Sequence, residues 1–176
     1  QMASFRTSDD LVGFVDGSGK VVIQAKFKSA GDFHGGFAWA KDNAGKVGYI
    51  NKQGDWVLEP QFESGKNYDA ETGLARVKTG DKWAYVNKEG ELAFMNDSEL
   101  FEDFSNGLAR GKKDGKFGYF NSKMEWAIPP QYDGARDFKN GYASVKSGEK
   151  WGIIDVTGNW IVTARFDDIK DVETVK

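Results

Sequence analysis

The 176-residue chain contains no cysteine, three prolines and a single histidine, His34. The absence of cysteine excludes disulfides and thiolate zinc sites. Any Ser–His–Asp arrangement would have to use His34. No apolar run approaches the ~18–20 residues of a membrane span. Lys plus Arg (24) nearly balances Asp plus Glu (27), and the two signs are interleaved, so nucleic acid is not an expected partner.

Glycine and aromatic residues are abundant instead. The chain has 22 glycines, and 14% of its residues are aromatic. So many aromatic residues exclude a solvated coil, and the glycine excess indicates many tight turns. The length suits one compact domain or one array of repeats.

A six-residue phrase recurs five times along the chain. Its copies are "LVGFVD" from Leu11, "KVGYIN" from Lys46, "KWAYVN" from Lys82, "KFGYFN" from Lys116 and "KWGIID" from Lys150. The third position is always small and returns every 34–36 residues, at Gly13, Gly48, Ala84, Gly118 and Gly152. This period predicts a single repeat domain over 1–176, with repeats 1–36, 37–73, 74–107, 108–141 and 142–176.

Each repeat is expected to form three short antiparallel strands. The first is an Ala-x-Val segment, the second is the phrase, and the third is a segment such as "WVLEP", which we expect to end at Pro60. A glycine-bearing loop joins the first two as a hairpin. An Asp or Asn ends the phrase, and the glycine three residues later predicts a type I turn. Met124 replaces that glycine in the fourth repeat, so its turn should be strained or of another type.

The alternation of side chains predicts how the repeats stack. Both faces of "KWAYVN" are apolar, so this strand should be covered by the repeats before and after it. The small third residue is expected where a neighbouring repeat approaches closely. We therefore predict an all-β tandem array of five units, an open twisted hairpin array or solenoid. The alternative is a closed five-bladed, propeller-like ring.

The best-preserved stretches are "GYASVKSGEKWGIIDVTG" from Gly141 and "KVGYINKQGDWVLEPQF" from Lys46. Together with the five-fold recurrence, they resemble the bacterial WG (KWG) repeat family over essentially the whole chain. The resemblance implies an all-β array that serves as an interaction or ligand-binding module, in a bacterial, exported or cell-surface setting rather than a cytoplasmic one. The third repeat departs most, because Ser98 stands where an aromatic residue recurs in the others.

No residue set points to catalysis. The slot of His34 is filled by Ser105 and Lys139 in other repeats, which indicates an exposed loop tip. An acidic or amide residue recurs before the second aromatic of each repeat, and we interpret the five as turn residues: Asp32, Asn67, Asp103, Asp137 and Asp171. The sequence therefore predicts no enzyme, no catalytic residue, no metal site and no cofactor.

Candidate binding residues are those that break the repeat pattern. The middle position of the Ala-x-Val strand is Ser4, Trp39, Arg76, Arg110 and Ser144. Trp39 is the apolar outlier, and with Arg76, Arg110 and His34 it forms a candidate partner face. The alternative is that a neighbouring loop covers Trp39.

A second aromatic series follows the turns, at Trp56, Trp126 and Trp160. Its slot is apolar in every repeat, which favours core packing, whereas exposed indoles would form a ladder for stacking sugar rings. Two functions follow: a non-catalytic protein-interaction or scaffold module, or a small-ligand or glycan-binding module for a glycan or cell-wall component. Another protein is the expected partner.

Overall fold

In the computed structural model, residues 2–173 are described, and they form five antiparallel sheets without a helix. Sheet 1 contains β1 (Met2–Arg6), β2 (Val12–Asp16) and β3 (Val21–Phe27). Sheet 2 contains β4 (Ser29–Ala30), β5 (Ala38–Lys41), β6 (Val47–Ile50) and β7 (Trp56–Phe62). Sheet 3 contains β8 (Ser64–Tyr68), β9 (Ala75–Thr79), β10 (Lys82–Val86) and β11 (Leu92–Ala93). Sheet 4 contains β12 (Phe104–Ser105), β13 (Leu108–Lys113), β14 (Lys116–Phe120) and β15 (Trp126–Tyr132). Sheet 5 contains β16 (Gly134–Ala135), β17 (Tyr142–Ser147), β18 (Lys150–Asp155) and β19 (Trp160–Phe166).

The all-β tandem array and its three strands per repeat are confirmed, and sheets 2 to 5 each gain a fourth strand. The added strands are β4, β8, β12 and β16, which pair with the Ala-x-Val strands β5, β9, β13 and β17. They lie after the third strand of the preceding repeat, in segments where the sequence pattern predicted no strand. Most are only two residues long, too short for an alternating pattern.

The turn after the phrase forms in all five repeats. Asp16 shows the pattern: its Oδ1 accepts the N–H groups of Ser18 at 2.9 Å and Lys20 at 3.1 Å. The glycine that closes the turn has a positive φ of 83–89° in four copies. In the fourth copy the Met124 N–H donates the same backbone hydrogen bond, to the Asn121 carbonyl, so the turn type is unchanged. The backbone strain lies at Met124, whose φ of 61° is in the left-handed region that glycine favours.

The small residue of the phrase lies opposite a bulge. In sheet 4, Phe117 pairs with Tyr132 but Tyr119 pairs with Ile128, so Pro130 bulges towards Gly118. A Cβ on Gly118 would lie 2.6 Å from the Ile128 carbonyl oxygen and 2.7 Å from the Pro130 nitrogen. The close approach therefore comes from the next strand of the same sheet, and the expectation of a neighbouring repeat is wrong. The third strands also continue past their prolines, because a bulge tolerates a residue without an N–H.

Within each compact half of the chain, neighbouring sheets bury their shared face through recurring aromatic pairs. The phrase aromatic of one sheet contacts the loop or strand aromatic of the next, with ring centroids 4.7–5.0 Å apart, in Phe14–Phe33, Tyr49–Tyr68 and Tyr119–Phe138. The middle strands are buried on both faces, as their two apolar faces predict. The chain divides after Leu92 into two compact halves, an N-terminal and a C-terminal half, which are described separately below.

Candidate binding surface

Arg110 is the most constrained of the predicted partner-face residues. It lies on β13, and its side chain is 22% exposed. Its Nε donates to Asp137 at 2.9 Å, and its Nη1 donates to the Ala135 carbonyl at 2.7 Å. A Glu102 carboxylate oxygen lies 3.7 Å from its Nη2. Arg110 therefore fastens sheet 4 to the first strand and loop of sheet 5.

The acidic residues before the second aromatic differ from expectation in this half. Asp137 accepts from Arg110, and Asp171 lies 3.4 Å from Nη1 of Arg136. Both carboxylates are ion-pair partners of arginines, so the interpretation as turn residues is wrong for these two. The partners come from other sheets or strands, which the local spacing of the sequence does not show.

The N-terminal half holds Trp39, Arg76 and His34. The Trp39 indole is half-buried and packs on Gly31, where a Cβ would lie 2.1 Å from its Nε1. The Arg76 guanidinium lies 4.7 Å from the ring centre of Trp83. His34 is exposed at a loop tip, and its backbone exchanges two hydrogen bonds with Phe37. The Trp39 indole also packs against a buried cluster that includes Tyr68 and Ala75 of sheet 3.

The three tryptophans of the second aromatic series have different surroundings. Trp56 is half-buried and meets Phe27 edge-on at 5.3 Å between ring centroids. Trp126 is half-buried, and its Nε1 donates to Asp97 at 3.0 Å. Trp160 is 39% exposed. A uniform exposed ladder of indoles is therefore not present at these positions.

The lysine that starts the phrase belongs to a recurring electrostatic arrangement. In this arrangement, which we call a clip, a carboxylate binds the lysine and also accepts an N–H from a hairpin turn. Lys46 Nζ lies 2.6 Å from Glu63, whose other carboxylate oxygen accepts the Gly80 N–H at 2.9 Å in the next sheet. These hydrogen bonds, led by that of Lys46, hold the pKa of Glu63 below its usual value. Sheets 4 and 5 repeat the clip with Lys116, Asp133 and the Gly148 N–H, and the pKa of Asp133 is likewise lowered.

Buried tyrosines link the sheets in the same way. The Tyr49 hydroxyl donates to the Lys66 carbonyl at 2.8 Å, and the Tyr119 hydroxyl donates to the Arg136 carbonyl at 2.6 Å. Burial raises the pKa of Tyr119 and that of Tyr68. The Tyr49 and Tyr119 hydroxyls are committed to sheet-to-sheet hydrogen bonds, and the Tyr68 hydroxyl donates to the Asn87 carbonyl within sheet 3 at 3.0 Å, so the raised pKa values have a structural cause.

Two cavities lie at equivalent places in the two halves. The larger, about 800 Å³, is in the N-terminal half and is bordered by Met2, Ala3 and Ser4 of β1 and by Asp32 and Phe33. The other, about 430 Å³, is in the C-terminal half, where Arg110 occupies the position equivalent to Ser4. The small serine leaves the first cavity open where an arginine fills the second.

Strand β1 has an unpaired edge among residues 2–173. Sheet 1 has no fourth strand, so the only neighbour of β1 in that part of the chain is β2. Its residue Ala3 is exposed, whereas the equivalent alanines Ala38, Ala75, Ala109 and Ala143 are at most 2% exposed. An unpaired edge of this kind is a template for another strand. This edge could not be predicted without the fourth strand of the other sheets, which in most of them is too short to show a pattern in the sequence.

Comparison with known families agrees with the recurring phrase. A family described as the WG containing repeat matches residues 13–46, 48–83, 117–151 and 151–173. The chain belongs to the WG repeat family. The interval between the second and third matches contains the short strand β11 and Ser98, in the repeat that departs most from the pattern.

Solved structures similar to this WG repeat chain have low sequence identity. The crystal structure of the computationally designed Ika8 protein matches with a TM-score of 0.53 and 11% identity, over 91% of this chain and 57% of that one. A crystal structure of the eukaryotic initiation factor matches with a TM-score of 0.56 and 13% identity, over 96% of this chain and 53% of that one. At these identities the likeness concerns the fold alone, and the WG repeat chain spans little more than half of either protein. No curated protein matched the sequence.

The described part of the WG repeat chain contains neither a candidate metal site nor a candidate membrane-spanning helix. No group of three or more His, Cys, Asp or Glu side chains there has the arrangement of a metal site. None of the segments in residues 2–173 is a helix with the length and apolarity needed to cross a membrane.

Proposed function

We propose that this chain is a non-catalytic protein-interaction module whose N-terminal half receives an extended segment of a partner protein. The observation that carries the proposal is the unpaired edge of β1 beside a cavity of about 800 Å³. Strand addition gives affinity through main-chain hydrogen bonds, and adjacent pockets select side chains. We call this surface, formed by residues 2–6, Asp32 and Phe33, the acceptor edge.

The four complete sheets indicate which backbone groups the acceptor edge would use. In sheet 2 the Trp39 carbonyl accepts the Gly31 N–H at 3.0 Å, and the Lys41 carbonyl accepts the Lys28 N–H at 2.9 Å. The equivalent positions of β1 are Ser4 and Arg6. Since the N–H and C=O groups of one strand residue point to the same edge, Ser4 and Arg6 would bind the added strand.

The absence of catalysis is part of the proposal. The lowered carboxyl pKa values of Glu63 and Asp133 come from clips between strands and turns, and the raised tyrosine pKa values come from burial. Perturbed groups at an active site would instead converge on one cleft. The distribution of these groups supports an interaction module.

Of the predicted partner-face residues, Trp39, Arg76 and His34 are proposed as a secondary contact surface of the N-terminal half, and Arg110 is considered separately in the C-terminal half. Exposed His34 and the outer part of the half-buried Trp39 indole are the accessible groups in the N-terminal half. Arg110 would contribute mainly by holding the loop of sheet 5 in place. Glycan binding through Trp56, Trp126 and Trp160 stays an alternative prediction that the same binding experiment addresses.

The proposal is tested by panning the full chain against a displayed library of random peptides. Enriched peptides are expected to bind the wild type and to bind Ser4→Pro at least tenfold more weakly. Proline replaces the Ser4 N–H by ring carbons that project into the acceptor edge, where an added strand must approach the carbonyl of residue 4. The pairing of β1 with β2 stays intact, because the backbone groups of residue 4 point away from β2. Ser4→Ala keeps the N–H and should bind as the wild type does.

Thermal melts of both Ser4 variants control for folding. A library that yields no binders, or binders indifferent to Ser4→Pro, would overturn the acceptor edge. Binding that is lost in Trp39→Ala instead would move the site to the secondary surface. Binding of an oligosaccharide array, lost in Trp160→Ala, would replace the protein-interaction function by the glycan alternative.

A further inference from the structure

The fourth strands of sheets 2, 3 and 5 begin in the same way. The residue after the third-strand aromatic donates its N–H to a carbonyl on the Ala-x-Val strand: Lys28 to Lys41, Glu63 to Lys78 and Asp133 to Lys146, at 2.8–2.9 Å. In sheet 5 the Arg136 N–H then donates to the Ser144 carbonyl at 3.0 Å. A fourth strand is thus recognised by its spacing from the preceding aromatic residue.

The segment 167–172 has this spacing after Phe166 but pairs with no strand in residues 2–173. Asp167 makes the ion pair with Lys150 that Glu63 makes with Lys46. The Asp167 side chain is nevertheless 92% exposed, against 38% for Glu63 and 37% for Asp133. The difference arises because Glu63 and Asp133 each also accept an N–H from the hairpin turn of a following sheet.

Side chains of the C-terminal half already bind segment 167–172. The Ser144 hydroxyl donates to the Lys170 carbonyl, and the Asn140 amide donates to the Val172 carbonyl, both at 3.3 Å. Arg136 lies 3.4 Å from Asp168 and from Asp171. Arg110 holds the β16 strand of sheet 5 in a comparable way. The segment is therefore positioned like a fourth strand, and no Ala-x-Val strand within residues 2–173 pairs with it.

The apolar face of sheet 5 is uncovered as well. Phe166 is 39% exposed, whereas its equivalents Phe27, Phe62 and Tyr132 are at most 4% exposed. In those sheets the face is covered by the next sheet along the chain. Trp56 meets Phe27 at 5.3 Å and Trp160 meets Tyr132 at 5.9 Å between ring centroids, and a Cβ on Gly54, in the turn of sheet 2, would lie 2.8 Å from Ile23. The equivalent turn of sheet 1, at Gly19, has no neighbouring atom within 4 Å of that position.

We propose that copies of this chain associate head to tail, with segment 167–172 of one copy added to the acceptor edge of a second copy. The inference rests on the proposed strand-acceptor function and names its partner. The two surfaces match because their contact would reproduce the interface that recurs between neighbouring sheets of the chain. The backbone N–H groups of Lys170 and Asp167 of one copy donate to the Ser4 and Arg6 carbonyls of the other. The Gly19 turn then covers Val162, the equivalent of Ile23, and Val21 packs on Phe166 as Trp56 packs on Phe27. Such an interface is heterologous, so it builds rings or chains of copies.

Analytical ultracentrifugation of the full chain over a range of concentrations tests the association. Reversible dimers and larger species are expected for the wild type. Lys170→Pro removes the donor N–H of the segment and should leave a monomer. Lys170→Ala retains the N–H and should associate as the wild type does. Ser4→Pro blocks the acceptor edge and should also be monomeric.

Mixing the two proline variants makes the test specific. Lys170→Pro keeps an intact acceptor edge and Ser4→Pro keeps an intact segment, so an equimolar mixture should form dimers and nothing larger. Such complementation also shows that both variants are folded. A wild type that is monomeric at every concentration, a self-associating Lys170→Pro variant, or a mixture that stays monomeric would each overturn the proposal.

The outcomes separate this inference from the function on which it rests. If the wild type is monomeric but library peptides bind in a Ser4-dependent manner, the acceptor edge stands and the second copy is the wrong partner. If no peptide binds and no association occurs, both fail. Association that Ser4→Pro does not affect would place the contact elsewhere on the molecule and overturn the head-to-tail interface.

Discussion

Replacing Gly118 by alanine is expected to destabilise the C-terminal half by ~1–3 kcal/mol. The new Cβ would lie 2.6 Å from the Ile128 carbonyl oxygen and 2.7 Å from the Pro130 nitrogen. Both are backbone atoms, and pairing at Phe117–Tyr132 and Tyr119–Ile128 holds the strand on each side of the bulge. The strand must therefore shift as a whole, because no side chain can rotate away.

The effect is measured by thermal and urea unfolding of the full chain. At ~2–4 °C per kcal/mol for a chain of this size, Tm should fall by roughly 2–12 °C. Gly17→Ala is the matched control, since nothing lies within 4 Å of a Cβ at that exposed position. A Gly118→Ala variant whose stability stays within ~0.5 kcal/mol of the wild type would refute the argument that the bulge is rigid.

Acid should weaken the clips between sheets. Because the folded pKa values of Glu63 and Asp133 are lowered, their stabilisation is complete above the unfolded pKa values near ~4 and is lost as pH falls below them. Glu63→Gln should therefore show a smaller fall in Tm between neutral and acid pH than the wild type, and an unchanged fall would contradict the clip. Arg110→Lys should lower the free energy of unfolding by ~1–3 kcal/mol, because two hydrogen bonds from a largely buried guanidinium are lost. The contacts of Arg136 are longer and more exposed, so Arg136→Lys should lower the free energy of unfolding less, as measured in urea titrations. Equal losses in the two variants would argue against a special stabilising role of the Arg110 hydrogen bonds.

Local chemistry made the turns and the repeats predictable. An Asp or Asn followed three residues later by glycine specifies its own turn, since the side-chain oxygen bonds the backbone two and four residues on. Even Met124 keeps this turn, because the surrounding hydrogen bonds of Asn121 are unchanged. The proposed acceptor edge was less predictable. The edge of β1 is recognised as unpaired only by comparing sheet 1, which has three strands, with the other sheets, which have four.

The sequence by itself determined the all-β class, the five-fold period, the turns and the middle strands buried on both faces, because each depends on residues close together in the chain. Only the tertiary structure decided the roles that depend on distant partners. Gly118 is required by a bulge in the following strand, whereas Ala84 is tolerated in sheet 3, where the third strand β11 has only two residues. Arg110 resembled a surface contact in the sequence, yet it bonds Ala135 and Asp137, some 25 and 27 residues away. Pairing between strands and contacts between sheets join such residues in space, and no local pattern records them.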